Sequence, residues 1–319
     1  LVQREVGDRL RTFSVGFTDG AYDERQWQQA MVTHIGSDHR EVEVGGEDIA
    51  RAMGDVAWHA EAPVLRTAPA PLFALSGLVR RQGWKVVLTG EGADEVFCGY
   101  NILREAKVRA FWARRPQEFR RARLLTRLYP YLAQSPPQFL ERFYGQNLDR
   151  PEDPLFSHRP RWQNTGMMRT FLQPEAAAAV RSGEVDQRII GDLPAEFAGW
   201  GPVARAQYLE ITTLLSGYLL CSQGDRMLMG HSVEGRFPFL DHELAELAFS
   251  IPAAARLPLL QEKALLKDAV AHLLPAAICQ RPKQPYRAPD ASAFATPAGR
   301  EIVADLLGPR AVGESGFWM

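Results

Sequence analysis

Cysteine is scarce and unpaired in this chain. Cys98, Cys221 and Cys279 are the only three in 319 residues, widely spaced and without a CxxC pair. An odd number with no metal-ligand spacing excludes a disulfide framework and a zinc module, and the thiols read as buried groups of a protein kept in a reducing, cytoplasmic setting. Net charge is lacking too, at −1, so the chain as a whole carries no electrostatic footprint for nucleic acid. No apolar run approaches the ~18 residues needed to span a bilayer, and no signal peptide, internal repeat or low-complexity tract is visible. Lysine is rare, 5 against 32 arginines, so any lysine in a functional context stands out. What remains, 46% hydrophobic and 24% charged residues, is ordinary for a globular protein with ample core, built as one large domain or two modest ones.

Periodicity divides the chain. Apolar residues alternate at Phe13, Val15 and Phe17, which predicts a strand over Arg11–Phe17. Trp27, Ala30, Met31 and Ile35 recur at helical spacing over Asp23–Ile35, with Gly36 as a stop. A short strand at Arg40–Val44, helices at Asp48–Ala60 and Leu72–Arg81, and a strand at Lys85–Leu88 follow. Strands alternating with helices imply a parallel sheet with helical crossovers. After Tyr100 the strand signal nearly vanishes, and helices are expected at Ala204–Cys221, His242–Phe249, Glu262–Leu274 and Ala298–Leu307. The expected layout is an α/β part over residues 1–112 and a predominantly helical part over 113–319. Between Arg104 and Arg127, nine basic residues accompany two acidic ones. That stretch reads as a solvated helix face, with an acidic partner as the alternative.

The most informative segment is Thr89-Gly-Glu-Gly-Ala-Asp-Glu95, which leaves the apolar run Val86–Leu88. A β-branched strand emptying into glycines and carboxylates looks like a ligand turn at the carboxyl end of a parallel sheet. Gly90 and Gly92 let a ligand approach the backbone and permit positive φ. Glu91, Asp94 and Glu95 would repel a bare phosphate, so the natural partner is a magnesium-bearing nucleotide or a cation. An ordinary Gly-rich turn with Asp94 capping the next helix is the bland alternative. Elsewhere, Asp225, Arg226, Glu234 and Arg236 read as buried ion pairs at helix junctions. Asp241 and His242 read as a helix cap, and His39 as a packing or hydrogen-bonding residue.

Four stretches in order carry a resemblance. They are Phe13–Phe17 with Tyr22-Asp-Glu24; Thr89–Tyr100; Gln223–Met227 with His231–His242; and Lys263–Ala269 with Leu274-Pro275 and Arg281–Pro289. Together they resemble the asparagine synthetase family over nearly the whole chain. The resemblance implies an adenine-nucleotide α-hydrolase-like parallel sheet, ATP and Mg²⁺ as cofactors, and activation of a small carboxylate, aspartate first, as an acyl-adenylate that ammonia attacks. The ammonia would come from an N-terminal glutaminase domain, and a homodimer is compatible with the family. Neither that domain nor the family's Ser-Gly-Gly-x-Asp-Ser pyrophosphate loop is found in this sequence. The resemblance places the loop and the first, central strand upstream of Leu1, so the strands at 11–17 and 85–89 are expected not to pair with each other, and the chain is expected to be inactive alone.

By the same resemblance Val15 lines the adenine site, and Thr89 and Gly90 offer backbone groups to the nucleotide. Asp94 is a magnesium ligand. Glu91 deprotonates the incoming ammonium as a general base, and Lys283, between Pro282 and Pro285, stabilises departing pyrophosphate. Arg281 and Arg287 are weaker candidates for that field. The bland alternatives stay open: a core valine, a Glu91 that only braces its own loop, and a surface lysine. So do related acceptors, as in β-lactam synthetases, lasso-peptide cyclases and surface-polysaccharide amidotransferases, and a silent scaffold.

Overall fold

The computed structural model describes residues 1–7, 10–129, 136–180, 183–281 and 283–319; Pro282, expected to stiffen the Lys283 loop, lies outside them. The chain is α/β and predominantly helical. It divides into two compact units, each built from separate stretches of sequence: 1–92, 213–245 and 265–308 form the first, and 93–212, 246–264 and 309–319 the second. Among the described residues no helix is long and apolar enough to cross a membrane.

In the first unit, α1 (Val2–Val6) precedes β1 (Arg11–Phe17), α2 (Arg25–Ile35), β2 (Asp38–Val44), α3 (Gly46–Ala60), α4 (Pro69–Arg81) and β3 (Val86–Leu88). Gly36 ends α2 with φ of 64°, the left-handed conformation that glycine adopts without a Cβ penalty. Asp48 reaches back to the Gly45 N–H at 2.8 Å and closes the start of α3. β1 and β2 pair in parallel with Val15 opposite Val42. His39 sits opposite Thr12 in that register and bonds both the Thr12 and Ser14 hydroxyls, at 2.9 and 3.0 Å. It is therefore a bracing residue of the ladder, and burial holds its pKa below the usual imidazole range.

β3 pairs in parallel with β4 (Glu234–Arg236), an element the sequence pattern did not reveal. Glu234 and Arg236 belong to this strand and form an exposed ion pair with each other at 2.7 Å, and Arg226 pairs with Glu61, so these are not buried pairs at helix junctions. Among the described residues the result is two separate two-stranded parallel sheets. As expected, no ladder joins β1 to β3 among the described residues. An apolar cavity of about 640 Å³ is lined by both strands, with Phe13, Leu72, Val79, Trp84, Val86 and Leu88 on its walls. The core of the unit collects Val15, Phe17, Val44, Ile49, Val56 and Met227, all buried.

In the second unit the basic stretch 104–127 is divided: Arg114, Arg115, Arg120, Arg123 and Arg127 are exposed, as a solvated face expects, whereas Arg104 and Arg109 are buried. A helix over Asn101–Ala113 carries Arg104, buried and ion-paired to Glu262 at 2.8 Å. It also carries Arg109, fully buried, which donates to the carbonyls of Tyr144, Gln146 and Phe156 and lies 4.1 Å above the Phe156 ring. Burial lowers its pKa to about 10, and the three carbonyls supply the partners that a buried cation requires. The expected helix over Ala204–Cys221 is an α-helix over Pro202–Leu209 that continues as a π-helix over Glu210–Asp225. Along it Leu215, Tyr218 and Ser222 are buried, whereas Thr212 is exposed. Of the thiols, Cys98 is buried and Cys221 and Cys279 are half-buried; none is in a disulfide.

Candidate functional site

The loop after β3 is shaped by one glycine. Thr89 N–H still donates to Arg236 O at 2.9 Å, closing the ladder. Gly92 then turns with φ of 89°, and a Cβ there would overlap Leu240. Gly90, expected to share this freedom, has no positive φ and open space where a Cβ would stand. Its contribution is therefore exposure of the backbone. The Thr89 hydroxyl donates to a Glu91 carboxylate oxygen, and both residues line the 640 Å³ cavity. The carboxylate is thus aimed by its own loop, an arrangement compatible with a base and with a brace.

The other end of the first unit's site is the carboxyl end of β1. Asp38 N donates to Leu10 O and Thr18 N to Val44 O, so even-numbered residues of β1 face β2 and odd-numbered ones turn outward. Side chains of α2 satisfy this outer edge: Gln28 Nε2 donates to Val15 O at 3.0 Å and Arg25 to Phe17 O at 3.2 Å. Residues three apart share a helix face, which is why 25 and 28 reach the carbonyls of 17 and 15. A second cavity, about 120 Å³, is lined here by Val15, Phe17, Tyr22, Gln28, Tyr286 and Arg287, among others.

The C-terminal loop therefore reaches the end of β1. Arg281 is ion-paired to Glu24 and lies 5.2 Å from the Trp27 ring, and Arg287 lies 5.9 Å from the Tyr22 ring. Tyr286 packs against the core cluster of Val15 and Phe17, and burial raises its pKa. Lys283 is half-buried at the head of this loop. Val15, Lys283, Thr89, Gly90 and Glu91 all belong to the first unit; Asp94 belongs to the second.

Asp94 is engaged. Its carboxylate is 2.9 Å from Lys263 Nζ, with the two side chains 13% and 21% exposed. A side chain at Gly99 would overlap the Asp94 carboxylate and press on the Lys263 stem, so the glycine makes room for the pair. Lys263 itself has φ of 48°, an uncommon conformation for a residue with a Cβ. Sequence reasoning placed Lys263 in a motif without giving it a role. Among the described residues no group of three or more His, Cys, Asp and Glu forms a metal cluster. One carboxylate already neutralised by an ammonium does not by itself fit magnesium, which needs several oxygen donors.

An α/β chain with a Gly-acidic turn after one parallel strand and a small aromatic cavity at the end of another has the layout of a nucleotide-using enzyme. The comparison with known families is consistent: the asparagine synthase family model matches residues 1–319, and the chain belongs to that family. A Mycobacterium tuberculosis protein carrying the name of a glutamine-hydrolyzing asparagine synthetase is 30% identical over 293 residues, 88% of this chain and 41% of that protein. Asparagine synthetase 1 of Bacillus subtilis is 25% identical, over 90% of this chain and 44% of its own length. Amidase chyE of Penicillium rubens is 26% identical over 89% and 44%. The chain thus spans well under half the length of these relatives.

Proposed function

We propose that this chain is the synthetase half of an ATP-dependent, amide-forming enzyme that activates a small carboxylate, aspartate first, as an acyl-adenylate and passes it to ammonia released from glutamine by a separate domain of the whole protein. The observation that carries this reading is the convergence of the C-terminal loop with the end of β1: Val15, Phe17, Gln28, Tyr286 and Arg287 line one cavity beside the Lys283 segment. Its polar and aromatic lining fits a purine ring. In this reading the two parallel sheets are parts of one adenine-nucleotide α-hydrolase-like sheet. Thr89 and Gly90 present backbone to the nucleotide. Glu91, aimed by the Thr89 hydroxyl, takes a proton from the incoming ammonium. Lys283 supplies a fixed positive charge where pyrophosphate departs. No step is assigned to magnesium, and Asp94 acts by holding Lys263.

The test is isotope exchange between pyrophosphate and ATP in the whole protein, dependent on aspartate, with AMP as the nucleotide product once ammonia is added. Glu91→Gln should spare exchange while lowering amide formation by about 10² to 10⁴-fold. ADP and inorganic phosphate as products would overturn the adenylation reading. Equal loss of both half-reactions in Glu91→Gln would make the residue a brace of the loop. The amidase-named relative favours a second reading, in which the adenylation is kept and the acceptor or carboxylate differs; exchange supported by another carboxylate and not by aspartate would select it.

A further inference from the structure

We infer that the second unit binds a free α-amino acid with a large apolar side chain, in a cavity bounded by Arg205, Glu152 and Trp200. The inference is independent of the nucleotide reading above. The cavity measures about 290 Å³, and all of its lining lies within residues 93–212. Pockets for small molecules begin near about 300 Å³, so the space suits a ligand of amino-acid size. Ala106 and Ala110 stand four apart on the helix over Asn101–Ala113 and share one face of it. Their small side chains leave the room, and Phe156 and Trp200 complete the apolar walls. Trp200 is fixed in turn, with Phe197 and Tyr208 packed on it at 5.4 and 5.6 Å between ring centres.

The charges narrow the ligand. Arg205 is held by main chain: Nε donates to Trp200 O at 2.9 Å, Nη1 to Glu152 O at 3.4 Å and Nη2 to Ala198 O. Three of its five N–H groups are thereby engaged, and among the described residues no carboxylate pairs with it. Glu152 lines the same cavity and is exposed. Its carbonyl meets Arg205, yet its carboxylate has no partner among the described residues. The next residue shows the contrast: Asp153 is ion-paired to Arg159 at 2.7 Å and accepts the Leu155 N–H at 2.9 Å. One cavity thus carries a preorganised cation and an unengaged carboxylate that are not paired with each other. A zwitterion satisfies both. Its carboxylate takes the remaining guanidinium N–H groups in charge-assisted bonds, its ammonium meets Glu152, and its side chain is buried against Phe156 and Trp200. A phosphorylated ligand would be repelled by Glu152, and aspartate would set a second carboxylate against apolar walls, which costs desolvation.

Equilibrium dialysis of radiolabelled L-phenylalanine against the protein tests this. Binding should saturate. Phenethylamine, which lacks the carboxylate, and 3-phenylpropionate, which lacks the ammonium, should each compete about tenfold or more weakly than unlabelled L-phenylalanine, the scale of one lost hydrogen bond to a charged group. L-aspartate should not compete. Glu152→Gln, at an exposed position, should weaken binding about tenfold with an unchanged melting temperature, and Ala110→Leu, which fills the cavity, should abolish it. Three results would overturn the inference: no saturable binding to the unaltered protein, binding that survives Ala110→Leu, or displacement by aspartate, which would place the label in a substrate site. Should Ala110→Leu not fold, Glu152→Gln and the analogue series decide, and equal competition by all three phenyl compounds would overturn the inference.

Discussion

At the scale of single residues, two glycines in one loop separate shape from access. Gly92 has φ of 89° and no room for a Cβ beside Leu240, while Gly90 has open space around it. Gly92→Ala is expected to destabilise the protein by about 1 to 3 kcal/mol, through backbone strain and overlap, and Gly90→Ala by less than about 0.5 kcal/mol, as at unconstrained surface positions. Urea midpoints measure both, and equal midpoints would contradict the assignment. His158 makes a second, pH-dependent case. It is buried, its Nδ1 lies 2.8 Å from the Ser157 hydroxyl, and burial, then the charges of Arg161 and Arg109, depress its pKa to about 3. The unfolded chain takes up this proton near pH 6.5 and the folded chain does not. The contribution of His158 is therefore fully present above that pH. It declines by about 1.4 kcal/mol per pH unit as the pH falls from about 6.5 toward 3. Stability followed by denaturation across this range should show the decline, and His158→Gln should flatten it.

At the scale of elements, the decisive devices are edges and ends. α2 covers the outer edge of β1 with side chains, where a neighbouring strand would use main-chain groups. The helix over Pro297–Leu306 begins at Thr296, whose hydroxyl accepts from Gly299 N–H at 3.1 Å. Thr296→Ala should cost about 1 kcal/mol, the usual worth of such a cap, and lower the melting temperature without altering nucleotide binding, since Thr296 lines neither the cavity between β1 and β3 nor the one at the end of β1. An unchanged melting temperature would show that the helix is held by its packing alone. The cap expected at Asp241 is present, with its Oδ1 accepting from the N–H groups of Glu243 and Leu244.

At the scale of the molecule, the first unit holds two small sheets and an apolar cavity lined by β1 and β3. Val86 and Leu88 are 47% and 55% exposed, and strands with open edges and apolar side chains invite association. The chain should therefore bind an environment-sensitive hydrophobic dye at this cavity, and Leu88→Lys should reduce both that fluorescence and concentration-dependent aggregation. Dye binding unaffected by Leu88→Lys would place the exposed apolar surface elsewhere.

How far the sequence reached follows from the range of each interaction. β1, α2, α3 and the cap at Asp241 were legible because period, glycine stop and capping side chain act within a few residues. The Thr89–Glu91 turn was legible for the same reason, and ordered motifs carried the family. The three-residue β4 was not legible, since Glu234, Gly235 and Arg236 have no strand pattern and become a strand only because β3 offers its edge. The interior of the basic stretch was also hidden: Arg109 is indistinguishable from a surface arginine until the carbonyls of Tyr144, Gln146 and Phe156 arrive from 35 or more residues away. The same holds for the engagement of Asp94 by Lys263. Local chemistry in the sequence determined which elements form and which family they serve. Only the tertiary structure decided which charges are already paired, because pairing depends on groups distant in the chain.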